Sequence, residues 1–124
     1  MKQALIDIIK TRGYPYYLQG TLSADTAYPD SFYTFWNNEA RDGDHYDNDA
    51  IFCVWDFTVY FFSTNPELVN TELLALKALL KSNGWIVGGK GYDVPSDEVT
   101  HTGRAIDALY IEHETPITGG TQNA

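Results

Sequence analysis

The sequence has a single cysteine, few basic residues and no long apolar run. Cys53 has no second cysteine with which to form a disulfide, which fits a reducing compartment. The 8 basic residues are scattered along the chain, and the 17 acidic ones leave a net charge of −9. Binding to a phosphate backbone or to an anionic membrane surface requires clustered Lys and Arg. We therefore expect neither specific nucleic-acid binding nor membrane binding.

Signals for export and for membrane insertion are also missing. Residues 1–7 do not form a long apolar region followed by a small-residue cleavage site. The longest apolar run, Ile51–Phe62, contains Asp56 and is shorter than the ~18 residues that identify a transmembrane helix. We therefore expect a soluble, intracellular protein.

Only one segment approaches a named ligand-binding motif. Gly84–Gly91 matches the first seven positions of a Walker A loop, but Gly91 stands where Ser or Thr would bind magnesium. The segment also follows a predicted helix and leads toward Pro95, whereas a phosphate-binding loop joins a strand to a helix. A glycine-rich turn is the better interpretation, and we expect no cofactor.

A catalytic or metal-binding constellation is lacking as well. His45, His101 and His113 show no helical metal-ligand spacing, and one cysteine cannot complete a zinc set. Cys53 falls on the apolar side of a predicted strand, where a small buried hydrophobe is a better interpretation than a nucleophile. No Gly-x-Ser-x-Gly nucleophile elbow occurs. We therefore predict neither an enzyme nor a metal site.

A dense group of carboxylates lies in the polar segment Asn38–Ala50. Clustered carboxylates can bind a hard cation such as calcium, but this segment lacks the spacing and the bidentate Glu of an EF-hand. An exposed acidic loop that keeps the protein in solution is the more ordinary interpretation. Its aspartates are Asp42, Asp44, Asp47 and Asp49.

What the chain does contain is enough apolar material for one core. It has 124 residues, of which 44% are hydrophobic and 15% aromatic. That content suits a single domain without disulfides or a structural metal. We assign this domain to residues 1–114, and we expect residues 115–124, rich in Thr, Gly, Gln and Asn, to form a disordered tail.

Two helices are predicted from periodicity and capping residues. The first spans Ala4–Thr11 and ends before Gly13. The second follows the capping residues Ser63–Asn65 and runs to about Ser82. Its apolar stripe consists of Val69, Leu73, Leu76 and Leu80.

Strands are predicted at Ser31–Asn37, Ile51–Phe62 and Arg104–His113, with a short one at Trp85–Val87. Gly88–Ser96 is expected to be a flexible turn. The order of helix, strands, helix, strands predicts an α+β fold. We expect a single domain with a mainly antiparallel sheet and two helices packed on one face.

The strand Ile51–Phe62 has two different faces. Its odd-numbered residues are all apolar, whereas its even-numbered residues include Asp56 and Thr58. One face should therefore meet the core and the other should be only partly covered. A strand of about 40 Å is long for so small a domain. We expect it to overhang its own sheet, with a partner covering its aromatic side chains.

The order of these elements carries a family resemblance. An opening helix is followed by the aromatic strand Phe32–Trp36, an acidic spacer and the long strand ending in Trp55–Phe62. Then come the Asn65-Pro66-Glu67 helix start, a leucine-rich helix, Asn83–Trp85 and a terminal strand. This layout, from about residue 3 to residue 113, resembles the tail terminator or tail-completion proteins of long-tailed bacteriophages and prophages.

The resemblance implies a structural virion protein that assembles into a ring homo-oligomer, commonly a hexamer. Such a ring ends polymerisation of the tail tube and joins the tail to the head. The implied partners are the major tail protein and a head–tail connector protein, and no covalent chemistry is required. The implied location is the host bacterial cytoplasm during assembly and then the virion tail.

Two sets of residues are candidates for roles in such a ring. The mixed face of the long strand suits a subunit interface, for which we name Phe52, Tyr60, Phe62 and Trp36. An acidic loop suits a channel that DNA must pass without sticking. We expect that loop to be formed by Asp42, Asp44, Asp47 and Asp49.

Two alternative functions stay open. A regulatory module that binds a small molecule or a peptide would use a cleft lined by aromatic side chains. The candidates for that lining are Tyr14, Tyr16, Tyr17, Tyr28, Phe32 and Trp36. An enzyme would use His45 or His101 with acidic partners, but nothing in their spacing favours it.

Overall fold

The computed structural model describes residues 2–18, 29–42, 45–46, 49–50, 52–96 and 100–113. Its helices are α1 (Lys2–Lys10) and α2 (Pro66–Ser82). Its strands are β1 (Tyr16–Leu18), β2 (Ser31–Asp42), β3 (His45–Tyr46), β4 (Asp49–Ala50), β5 (Phe52–Ser63), β6 (Tyr92–Val94) and β7 (Thr102–His113).

Most of the strands belong to one sheet, in the order β1-β2-β5-β7-β6, while β3 and β4 pair separately. The β1–β2 pair is parallel, and the β2–β5, β5–β7 and β6–β7 pairs are antiparallel. Residues from both helices join one side of this sheet in a single core. The predicted α+β fold, with a mainly antiparallel sheet and two helices, is confirmed.

The core face of β5 is the one that alternation predicts. Phe57, Val59 and Phe61 are fully buried, whereas Cys53 and Trp55 on the same face are half-buried. The helices cover the half of the strand that leads into α2. Their buried residues in this core are Leu5, Ile9, Val69, Leu73, Leu76 and Leu80, which confirms the predicted stripe of α2.

Helix α2 starts and stops through local chemistry. Asn65 is its N-cap, and the Asn65 side-chain oxygen accepts a hydrogen bond of 3.1 Å from the backbone N–H of Glu67. Pro66 occupies the first turn, where a missing N–H costs nothing. Gly84, with φ +91°, ends the helical segment in a conformation that glycine adopts readily.

The expectation that the long strand overhangs its own sheet is wrong. β2, β5 and β7 each have 12 residues. The partners of β5 extend to Asp42 opposite Cys53 and to His113 opposite Phe52. The polar residues after Asn37 therefore continue β2 instead of forming a connection, because backbone pairing does not require apolar side chains. An irregularity between Asn37 and Glu39 accommodates one extra residue.

Three smaller predictions need adjustment. β7 begins at Thr102, before the predicted Arg104. The Gly88–Ser96 turn contains strand β6, and the predicted strand at Trp85–Val87 is a single bridge between Ile86 and Leu109. The predicted tail, residues 115–124, lies outside the described residues.

Candidate functional site

One face of the five-stranded sheet has no helix packed on it in the described part of the chain. We call it the open face; it contains the even-numbered residues of β5 and their cross-strand partners. Phe32, Thr34 and Trp36 lie opposite Phe62, Tyr60 and Thr58, so these side chains share that face. Across β5, the partners on β7 include Gly103, Ala105, Asp107, Leu109, Ile111 and His113.

One end of the open face carries its own aromatic cluster. The Phe62 ring centroid lies 5.3 Å from that of Phe32 and 6.2 Å from that of Tyr60. The ring of Tyr17 packs edge-on against Phe32 at 6.1 Å. Phe32 is 2% exposed although it lies outside the main core. The cluster fits closely, because a Cβ added at Gly103 would lie 2.5 Å from an atom of the Phe62 ring.

A chain of hydrogen bonds crosses the middle of the open face. The Asn38 amide donates to the Thr58 hydroxyl at 2.7 Å and to Asp56 Oδ1 at 3.2 Å. Thr58 in turn donates to Asp107 Oδ1 at 2.8 Å, and the Tyr92 hydroxyl donates to the same oxygen at 3.2 Å. Desolvation first, and then the charge of Asp107, raise the pKa of Tyr92, which keeps its phenol protonated as a donor.

Beside this chain lies a cleft of about 560 Å³ between the sheet and the segment 86–92. Asp56, Asp107 and Leu109 line its floor, while Lys90 and neighbouring glycines line its wall. Two contacts hold the wall in place. Lys77 of α2 donates to the Gly89 carbonyl, and Gly91, at φ +88°, approaches β7 so closely that a Cβ would lie 2.7 Å from the Ala105 carbonyl oxygen.

The large exposed apolar side chains concentrate on the open face. Trp36 is 47% exposed, Ile86 52%, Tyr92 45% and Ile111 37%. Ile86 belongs to this face because its bridge partner is Leu109. Among the described residues, four of the five large exposed apolar side chains therefore share this face, which favours an interaction site there.

The four predicted interface residues all lie on the open face, in different surroundings. Trp36 is highly exposed, whereas Tyr60 and Phe62 stack on each other and are half-buried. Phe52 lies at the opposite end, with its ring centroid 6.0 Å from that of His113. Their role as an interface stays a prediction. Sequence analysis missed Ile86, Tyr92 and Ile111; alternation along β7 could have indicated Ile111.

The proposed aromatic cleft of the alternative function is not assembled in the described residues. Tyr14 packs into the core, with its ring centroid 5.2 Å from that of Phe61. Tyr17 and Phe32 belong to the aromatic cluster, and Tyr28 lies outside the described residues. The observed cleft has a different and more polar lining.

The predicted acidic channel loop falls largely outside what the structure describes. Asp42 ends β2 and Asp49 begins β4, but these assignments concern the backbone alone. Asp44 and Asp47 lie outside the described residues. The orientation of this loop stays a prediction.

The histidines with described side chains make structural contacts. His101 Nε2 donates to the Pro29 carbonyl at 2.8 Å, and its ring packs against Phe32. His113 packs against Phe52. The side chain of His45 lies outside the described residues, and Cys53 is half-buried on the core face. Absence of catalysis stays a prediction.

A buried carboxylate was missed by sequence analysis. Glu72 of α2 is 4% exposed and contacts Arg12 and the hydroxyl of Tyr33. Its position, three residues after Val69 and beside Leu73, falls on the buried stripe of the helix, so periodicity alone could have indicated its burial. The contacts tie together the end of α1, α2 and β2, which is a structural role.

The described ranges contain no group of three or more His, Cys, Asp or Glu residues that could hold a metal ion. The segment Gly84–Gly91 leads into strand β6 and not into a helix, unlike a phosphate-binding loop. None of the described helices is long and apolar enough to cross a membrane.

Comparison with known proteins adds no family to this description. No protein-family model matches the chain, and no curated protein matches it in sequence.

Proposed function

We propose that this chain is a structural subunit that associates with copies of itself through the open face of its sheet. The observation that carries this proposal is the concentration of exposed apolar side chains there, namely Trp36, Ile86, Tyr92 and Ile111. Burying such surface is the main favourable term in protein association, at roughly 25 cal/mol per Å². A second copy is the occupant that the protein itself always supplies.

We propose further that the assembly is a ring at the end of a bacteriophage tail tube. It would stop polymerisation of the tube and join tail to head, with the major tail protein and a head–tail connector protein as partners. The layout of helices and strands supports this assignment through its resemblance to tail terminator proteins. Assembly would take place in the host bacterial cytoplasm, before incorporation into the virion tail.

The chemistry of the chain suits such a role. A net charge of −9 repels DNA, which favours free passage through a channel if the Asp42–Asp49 loop lines it. Apolar contacts flanked by hydrogen-bonded polar groups, such as Thr58 and Asp107, are typical of protein interfaces. Neither feature requires a cofactor or a covalent step.

The test is the mass of the protein in solution from micromolar to millimolar concentration, measured by size-exclusion chromatography with light scattering. We expect a monomer that converts to a ring, visible by negative-stain electron microscopy, and that binds tail-tube protein. Trp36→Gln should weaken association by about tenfold or more. Leu74→Gln is the matched control, because Leu74 is 37% exposed but lies on α2. A protein that stays monomeric throughout and does not bind tail-tube protein would rule the proposal out.

The cleft beside segment 86–92 favours one alternative function, the binding of a small molecule or a peptide. Its volume, about 560 Å³, lies within the range of ligand pockets. This alternative predicts a protein that stays monomeric and binds compounds there. A fragment screen by NMR separates the two: saturable shifts at Tyr92 and Leu109 without any self-association would favour the alternative.

A further inference from the structure

The edge of β7 that faces away from β5 has no described backbone partner beyond Leu109. The Leu109 N–H donates to the Ile86 carbonyl at 3.0 Å, and the Leu109 carbonyl accepts from the Ile86 N–H at 2.8 Å. Both backbone groups of Leu109 therefore point away from β5. In an antiparallel ladder this orientation recurs at every second residue, so the N–H and C=O of Ile111 also point outward. No described residue pairs with β7 on that side from Tyr110 to His113.

The opposite side of the same sheet has a matching edge. β1 covers β2 through pairs at Tyr33, Thr34 and Phe35. Further along, in the range Glu39–Asp42, the strands of the described chain leave the outer side of β2 without a neighbour. Glu39–Asp42 and Leu109–Glu112 both lie opposite Cys53–Asp56 of β5. We call these three segments the distal arm.

We infer that the β7 edge of one copy adds to the β2 edge of the next copy, so that the sheet continues from subunit to subunit. This inference rests on the proposed self-association and specifies its junction. β2 and β7 are both antiparallel to β5, so they run in the same direction on opposite sides of the arm. A head-to-tail junction therefore uses both edges of every copy, whereas pairing β7 with β7 about a two-fold axis would leave each β2 edge open.

Apolar side chains support this arrangement. Trp36 is 47% exposed on β2 and Ile111 is 37% exposed on β7, both on the open face. Trp36 lies on β2 shortly before the arm, and Ile111 lies on β7 within it, with β5 between the two strands. A junction between copies places β7 of one copy beside β2 of the next. Unpaired strand edges are avoided in natural proteins unless they are covered or used for pairing.

The small size of the edge predicts how the ring forms. A standard interface uses roughly 20–30 residues a side, far more than Tyr110–His113 and Glu39–Asp42 provide. A single junction should therefore be weak, and a closed ring, in which every copy makes two junctions, should be favoured over open chains. We expect monomer and ring to be populated, with few intermediate species.

The test compares Ile111→Pro with Ile111→Thr. Proline removes an N–H that points away from β5, so no hydrogen bond among the described residues is lost, and proline is tolerated at such edge positions. Threonine shortens the same side chain but keeps the N–H. Light scattering should show a ring for the wild type and for Ile111→Thr, and a monomer for Ile111→Pro at concentrations about tenfold above the wild-type midpoint. Circular dichroism shows whether each variant is folded.

Amide hydrogen exchange on the unmodified protein provides a second readout that does not depend on a variant. The Ile111 amide should exchange rapidly in the dilute monomer and slowly in the ring. The Tyr110 amide, which points toward β5, should be protected in both. A ring formed by Ile111→Pro, or an Ile111 amide that exchanges equally in ring and monomer, would overturn the junction while leaving self-association intact. A wild-type protein that stays monomeric at every concentration would instead contradict both the junction and the self-association.

Discussion

The Arg12 guanidinium donates two hydrogen bonds to the Glu72 carboxylate, at 2.7 Å from Nε to Oε2 and 2.9 Å from Nη2 to Oε1. The hydroxyl of Tyr33 donates to the same Oε2. Glu72 is 4% exposed and Arg12 31%, so the carboxylate is buried while the guanidinium reaches water. Removing one partner of such a pair destabilises the fold, because the other charge loses its charge-assisted hydrogen bonds.

We expect Glu72→Gln to lower the free energy of unfolding by about 2–3 kcal/mol, below most broken buried pairs because Arg12 can turn to water. Urea denaturation at pH 7 measures this. Glu67→Gln is the matched control, because Glu67 is exposed in the first turn of the same helix. This change should lower the free energy of unfolding by about 0.5 kcal/mol or less. The triple change Arg12→Met, Tyr33→Phe and Glu72→Leu should recover most of the loss, since it leaves neither an unpaired charge nor the buried Tyr33 hydroxyl without an acceptor. A triple variant as unstable as Glu72→Gln would contradict this account.

Stability should fall at high pH through Tyr33. Burial, and next the hydrogen bond to Glu72, raise the pKa of Tyr33 above its ordinary value of 10.0. Above that pH the unfolded chain releases the Tyr33 proton while the folded chain keeps it, so stability present below pH 10 is lost as pH rises. The Tyr33→Phe variant has no phenol at this position, so its stability does not fall for this reason. The stability gap between wild type and Tyr33→Phe should be constant from pH 7 to 9 and shrink by about 1.4 kcal/mol by pH 11. Other tyrosines contribute equally to both proteins and cancel.

Gly103 should tolerate no side chain while Phe62 is in place. Because an added Cβ would lie 2.5 Å from the Phe62 ring, Gly103→Ala should cost about 1–3 kcal/mol as the ring is displaced. In a Phe62→Ala background the same change should cost much less. Gly88→Ala, where an added Cβ meets no atom within 4 Å, is the control and should change stability by less than about 1 kcal/mol. Additive effects of Gly103→Ala and Phe62→Ala in thermal unfolding would show that the two residues do not interact.

Two tryptophans should behave in opposite ways. Trp85 is 4% exposed, and its ring centroid lies 5.1 Å from that of Tyr110 and 5.9 Å from that of Phe57. We expect Trp85→Ala to cost about 3–5 kcal/mol and Trp36→Ala less than about 1 kcal/mol. Acrylamide should quench the fluorescence of monomeric Trp85→Phe, which retains the exposed Trp36, more than that of Trp36→Phe. Equal stability losses for the two alanine variants would mean that Trp36 is part of the core.

Elements whose signals are local can be predicted from the sequence. Helix α2 follows from the Asn65 cap, Pro66 in the first turn, a stop at Gly84 and a stripe of aliphatic residues one turn apart. The two faces of β5 follow from strict alternation, and the burial of Phe57, Val59 and Phe61 confirms them. Such signals extend over one or two helical turns or strand pleats, so they can be recognised without knowledge of the rest of the fold.

Where distant segments meet depends on tertiary contacts. β2 continues through Asn38–Asp42 because β5 offers a backbone ladder, although the side chains there are mostly polar. The buried Glu72 finds its partners in Arg12, 60 positions away in sequence, and Tyr33. Ile86 joins the open face because it bridges Leu109. Each of these depends on a partner far along the chain, and long-range pairing leaves no local periodicity in the sequence.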